Sequence, residues 1–370
     1  MPIVILRLVV AWASVAAFFV LGDALLGGLD QWIVALAVFA WLLVVIMWAA
    51  FGVVHEAEIL AHRLGEPYGT LILTLAIVII EVALISAVML GAKGAPTLGR
   101  DTMFAVLMIV LNGVVGVGLL IGGMKHFSQR YSLKGASSYL AIIIPLSVIP
   151  LILPNFTTST NDGTLTSFQA ISFSIFMIAL YGAFLLLQTG RHAEFYREPP
   201  SDDPQAAPAE AGHDHHAHAG GSLAKPVLLL LLNILPIVLL AKSLAKVLDF
   251  GIARLGAPPA LGGILIAMVV FTPECITALR AITANQLQRA INLCLGAAAS
   301  TLGLTVPAVL AIGVMTGQNV VLGLSPTNMI LLAMTLVLST LTFTGTRTTM
   351  LEGAVHLGVF FVFLVLVFSP

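Results

Sequence analysis

The sequence predicts an all-α, polytopic membrane protein of about 11 transmembrane helices, one extra N-terminal helix plus two inverted five-helix repeats, and three observations point there. Of 370 residues, 59% are apolar and 9% charged, with a mean hydropathy of +1.07, whereas a soluble domain is about 25% charged. Apolar runs of about 20 residues, the length that spans a bilayer as helix, recur along the whole chain. Two of those runs repeat one pattern around a single glutamate.

Composition alone excludes a water-soluble globule, a disordered chain and a collagen. A net charge of −1 offers no basic field for nucleic acid. Cys275 and Cys294 both lie inside apolar runs and form no disulfide framework.

The runs centre near residues 12, 43, 80, 111, 144, 177, 236, 269, 300, 333 and 360. The first, about Ile3 to Leu21, has only Arg7 as a basic flank and no small-residue cleavage pattern, so it reads as a retained helix. With the N-terminus inside, inner segments hold Arg7, Arg63, Lys125, Arg130, Lys134, Arg191, Arg197, Lys225, Arg280, Arg289 and Arg347. Outer loops hold Lys93, Arg100, Lys242, Lys246 and Arg254. The bias predicts a cytoplasmic N-terminus and an outside C-terminus.

Residues 191–224 interrupt the apolar pattern with eight of the chain's charges and many Pro and Ala. They predict a loosely ordered cytoplasmic linker. The division is then 1–30, N-terminal transmembrane helix; 31–190, first five-helix repeat; 191–224, acidic and His-rich linker; 225–370, second five-helix repeat. Within the linker, His213, His215, His216 and His218 are candidate regulatory groups for metal or pH, although four imidazoles in a solvated linker fix no geometry.

Laying Gly69 to Ala87 over Gly262 to Arg280 without a gap matches Gly69 to Gly262 and Glu81 to Glu274. Each copy precedes a helix dense in small residues, which permit close helix approach in lipid. The copies lie on the third and eighth helices, five apart, an odd number, so they cross the bilayer in opposite directions. Such inverted repeats are characteristic of secondary transporters, with sites near the midplane.

Most acids sit at helix ends, in short loops or in the linker: Asp23, Asp30, Glu56, Glu58, Glu66, Asp101, Asp162, Asp249 and Glu352 are read as the first two kinds. Glu81 and Glu274 alone are deep. A charged group at a helix centre costs about 2.5 to 3.5 kcal/mol on insertion scales. Paired carboxylates there must each take a proton or share a cation, so Glu81 and Glu274 are the candidate metal and proton ligands. Asn112, Thr272, Thr277, Ser300 and Thr301 are candidate neutral oxygens for a hard cation. The hydroxyls among them have an equally simple use, bonding the carbonyl one turn back. Pro273 frees a backbone carbonyl one turn before Glu274.

The stretches Gly65 to Ser86 and Thr272 to Pro307 resemble the two repeats of the calcium:cation antiporter superfamily, and within it bacterial calcium/proton antiporters of the sodium-potassium/proton type. That resemblance implies an eleven-helix exchanger of a bacterial-type inner membrane in which Glu81 and Glu274 alternately hold cation and proton. The Asn that many proton-coupled relatives carry four residues before each Glu is here Ile77 and Val270. The departure favours sodium or potassium over calcium.

No cofactor is expected, the cation being cargo. The expected partners are the bilayer, small inorganic cations and protons, with no nucleic acid and the oligomeric state open. An enzyme is not expected, because no nucleophile and base or deep His cluster is visible. A channel would need a continuous polar stripe. His55, Glu56 and His62 lack HExxH spacing and read as an interfacial helix end. His356 reads as a packing residue, and Cys275 as core.

Overall fold

The computed structural model describes residues 2–65, 68–91, 96–160, 162–199, 223–345 and 347–369. Among the described residues, ten helices are long and apolar enough to cross a membrane. They are α1 (Pro2–Gly27), α2 (Trp32–Leu64), α3 (Tyr68–Gly91), α4 (Leu98–His126), α5 (Leu133–Leu151), α6 (Ser167–Thr189), α7 (Ala224–Leu255), α8 (Ala260–Thr283), α9 (Leu287–Thr316) and α11 (Met350–Phe368). Between the last two lies α10 (Pro326–Thr342), shorter and apolar, at the place of the tenth run.

Four of the helices begin where the sequence supplies caps. Ser132 and Ser325 accept from the backbone at the starts of α5 and α10, and Thr166 with Gln169 closes a capping box on α6. Thr349 and Glu352 do the same for α11, so Glu352 belongs to a helix end as expected.

The connections segregate to two ends of the bundle. At one end Val321 donates its backbone N–H to Pro96 (2.9 Å), Arg100 donates to the Gly323 carbonyl (2.9 Å) and Leu324 donates to Leu151 (2.8 Å). These bonds gather the connections after α3, α5 and α9. At the other end Gln129 donates to the Ile282 carbonyl (2.9 Å), and Ser132 donates its backbone N–H to the Gln288 side chain (2.7 Å). There β1 (Gln129–Arg130) also pairs antiparallel with β2 (Arg347–Thr348). These gather the connections after α4, α8 and α10. The two sets alternate along the chain, so α3 and α8 run antiparallel, as an inverted repeat requires.

Helices α2 and α7 hold equivalent places in the two halves and pack along each other. With 33 and 32 residues, each is about 50 Å long, against about 30 Å of hydrocarbon. Lys242 and Lys246 therefore lie within α7 and not in a loop. Helix α1 covers this pair.

One acid departs from its expected place. Glu56 is 3% exposed inside α2 and pairs with Arg7 of α1 at 3.9 Å. Gly52 makes the room: a Cβ there would lie 2.3 Å from the Arg7 guanidinium carbon and 2.4 Å from Asn233 Oδ1. Arg7 is thus a buried partner, and the sequence missed it because the contact joins helices whose faces no hydropathy scan orients.

The start of the linker is also ordered. Residues Ala193–Tyr196 form a 3₁₀ turn, Tyr196 stacks edge-on to Tyr139 (5.4 Å between centroids), and Asn292 donates to the Tyr196 carbonyl (2.7 Å). Two aromatic residues in an otherwise polar stretch supply that anchor. Residues 200–222, including His213, His215, His216 and His218, lie outside the described residues.

Candidate functional site

Glu81 sits near the middle of α3 and Glu274 near the middle of α8. Each lies on a helix that packs against the other repeat. Helix α3 packs on a π turn in α9, Thr301–Thr305, and α8 packs on a π turn in α4, Met108–Val114. Such turns carry one residue more per turn than an α-helix and are frequent at functional sites. Pro307, lacking a backbone N–H, follows the turn in α9. Met108 and Thr301, and likewise Asn112 and Thr305, are 193 residues apart, the spacing of Glu81 and Glu274. The repeat thus extends through both helices.

The helices reach this proximity through small residues. A Cβ at Gly263 would lie 2.7 Å from the Thr102 backbone nitrogen, so α8 touches the backbone of α4 directly. A Cβ at Gly353 would lie 2.5 Å from the Leu120 nitrogen, bringing α11 onto α4 in the same way.

Glu81 is fully buried, and its Oε2 accepts hydrogen bonds from Thr301 (3.1 Å) and Thr305 (2.8 Å). Its Oε1 is enclosed without a partner. Glu274 is partly exposed, yet its Oε2 is also enclosed without a partner. Two hydroxyl bonds to a carboxylate are worth about 1.5 to 3 kcal/mol each, against several kcal/mol to bring the ion out of water. Those bonds reach one oxygen of Glu81, and none reaches the enclosed Oε1 of Glu81 or Oε2 of Glu274.

The remaining candidates divide. Thr301 joins Glu81. Thr272 and Thr277 donate to the carbonyls of Met268 and Pro273 one turn back on their own helix, and Ser300 donates to Ala297 (3.0 Å). Asn112 is fully buried but bonds Thr335 of α10 (2.9 Å) and His356 of α11 (3.0 Å). Ile77 and Val270 are buried apolar residues one turn before the two glutamates. Cys275 is half-buried and Cys294 buried, both as free thiols. Thr305 is a site residue that the sequence reading misses, although carrying the 193-residue spacing on from Asn112 reaches it.

The sodium/calcium exchanger protein family model matches residues 34–190 and 225–369, two stretches that part at the linker. The chain is 43% identical to y4hA of Sinorhizobium fredii over 87% of its length and 86% of that protein. It is 38% identical to the sodium-potassium/proton antiporter ChaA of Escherichia coli over 91% of its length and 90% of that protein. Its fold matches the solved structure of native YfkE with a TM-score of 0.72 at 16% identity, covering 98% of this chain and 100% of that one. A bundle of apolar helices, one glutamate near the middle of a helix in each half, and these similarities together lead to one assignment: the chain belongs to the sodium/calcium exchanger family and is a multi-pass membrane antiporter, not an enzyme.

Proposed function

We propose that the protein exchanges cytoplasmic calcium, sodium or potassium for external protons by alternating access, with Glu81 and Glu274 shared between cation and proton. The observation that carries this reading is the cross-repeat contact at Glu81. Its Oε2 is held by Thr301 and Thr305 of the other half, while its Oε1 and Oε2 of Glu274 remain enclosed and unbonded. An enclosed carboxyl oxygen without a donor costs about 1 to 3 kcal/mol. A bound cation or a proton removes that cost, and only one of them fits at a time. Occupancy by either is then what permits the loaded site to cross.

Helices α3 and α8 run in opposite directions, so each carboxylate belongs to a half that mirrors the other, the arrangement on which rocking between two access states is built. The protein would lie in a bacterial inner membrane with its N-terminus in the cytoplasm and C-terminus outside, as the distribution of Lys and Arg supports. No cofactor takes part, and the partners are lipid, cations and protons.

A monovalent exchanger with little calcium transport is the second reading. Buried Ile77 and Val270 favour it, because they place hydrocarbon where a carboxamide would add oxygens for calcium. ChaA, similar over 91% of the chain, is named for sodium, potassium and protons. The test is a pH-gradient dye in inverted vesicles to which calcium, sodium and potassium chloride are added in turn. Proton movement on addition supports exchange, and the order of half-maximal concentrations ranks the cations. Absence of any response in correctly inserted protein refutes exchange.

A further inference from the structure

The two halves of the site differ at one pair of equivalent residues. Thr305 gives its hydroxyl to Glu81, whereas Asn112, its counterpart at the 193-residue spacing, bonds Thr335 and His356 instead of Glu274. A chain of hydrogen bonds fixes that orientation. The Thr335 hydroxyl donates to the Leu331 carbonyl (2.8 Å), so it accepts from Asn112 Nδ2 (2.9 Å). The carboxamide oxygen Oδ1 must then face His356 Nδ1 (3.0 Å), which donates to it. His356 Nε2 is left to accept from the Thr342 hydroxyl (3.0 Å). Asn112, Thr335, Thr342 and His356 are all buried, so none of these bonds is exchanged for water without cost. Meanwhile Glu274 Oε2 is enclosed with no donor.

We propose that His356 is a positioning residue that sets cation specificity: its bond to Asn112 holds the carboxamide out of the shell around Glu274. The inference rests on the shared-carboxylate reading above. Without the ring donor, Asn112 Oδ1 is a buried acceptor with no partner, and the amide gains by turning toward the Glu274 side as Thr305 does toward Glu81. A carbonyl oxygen added there favours a divalent ion over a monovalent one. Ion–dipole attraction scales with charge, and calcium accepts six to eight oxygens.

The test uses full-length protein in proteoliposomes, with affinities for sodium and calcium read from cation-driven proton flux and, for calcium, also from its competition with sodium. His356→Leu is expected to tighten calcium about tenfold relative to sodium. His356→Asn places its Nδ2 where Nδ1 stood and is expected to keep the wild-type ratio. The double variant His356→Leu with Asn112→Leu should return the ratio to wild type, since it removes the oxygen that moved. Should the leucine variant fail to insert, His356→Gln, which keeps a polar end toward Thr342 but loses the donor to Asn112, carries the same expectation. An unchanged calcium-to-sodium ratio in His356→Leu or His356→Gln overturns the inference, as does a shifted ratio in His356→Asn or in the double variant. Glu81→Gln and Glu274→Gln are assayed alongside. If they abolish exchange while the histidine variants leave the ratio unmoved, only the positioning role fails; if they retain exchange, the carboxylate reading fails first.

Discussion

The Thr305 hydroxyl lies 2.8 Å from Oε2 of Glu81, so a side chain of the second repeat completes the surroundings of the first repeat's acid. The contact can form only where α3 and the π turn of α9 meet, and it ties the site to the relative placement of the two halves.

Thr305→Val preserves shape and removes that donor. A hydrogen bond to a charged group is worth about 1.5 to 3 kcal/mol, so apparent cation affinity should change by roughly 10- to 150-fold. Thr301→Val, at 3.1 Å, should have the smaller effect. Cation titrations of proton flux in vesicles measure both, and equal wild-type curves would remove the hydroxyls from the site.

The Arg7–Glu56 pair makes a separate prediction about stability. Removing one member of a buried ion pair typically costs about 3 to 5 kcal/mol, while replacing both by apolar residues is often near neutral. Glu56→Leu should therefore lower the melting temperature in detergent by several degrees, and Arg7→Leu together with Glu56→Leu should recover most of it. A double variant as weak as the single one would show that the packing around Gly52, not the charge, matters.

Much of this architecture is legible in the amino-acid sequence. The eleven apolar runs and the two deep glutamates follow from hydropathy and from the cost of charge in lipid, both of which act through local sequence. The π turns were not legible, because a single widened turn leaves no periodic trace in a uniformly apolar segment. Asn112 and Thr301 were picked by type, yet only packing shows that one faces α10 and α11 and the other Glu81. Glu56 was misplaced for a related reason: its helix continues to Leu64, past the point where the apolar run ends.

Topology can be checked directly. The connection containing Ser159 gathers at the end of the bundle that holds Pro96 and Val321, whereas the linker begins at the end that holds Gln129 and Gln288. Single cysteines at Ser159 and Ser201, in a background without Cys275 and Cys294, should label from opposite sides of the membrane. Labelling from the same side would contradict the inverted repeat.

Glu198 supplies a pH prediction outside the membrane. Its carboxyl accepts from the backbone N–H groups of Gln288 (3.3 Å) and Arg289 (3.2 Å) at the start of α9. Burial nonetheless holds it above its ordinary value of 4.5, the two N–H groups opposing the rise only in part. The folded state therefore binds this proton more tightly than the unfolded chain. The group's contribution to stability is full below the ordinary value and declines as pH rises through the shifted one. Glu198→Gln should flatten that portion of the melting temperature against pH, from the ordinary value of 4.5 upward. Parallel curves for the variant and the native protein would contradict it.

The central claim, that cation and proton share two carboxylates, is tested most directly by cation-driven proton flux in reconstituted Glu81→Gln and Glu274→Gln, compared with the native protein across pH. Glutamine keeps the volume and removes the titratable oxygen pair, so insertion should survive while exchange is lost in each variant. In the native protein, protons compete for the same oxygens, so apparent cation affinity should weaken as pH falls. Near-native exchange in either glutamine variant, or a cation affinity that does not change with pH, would contradict it.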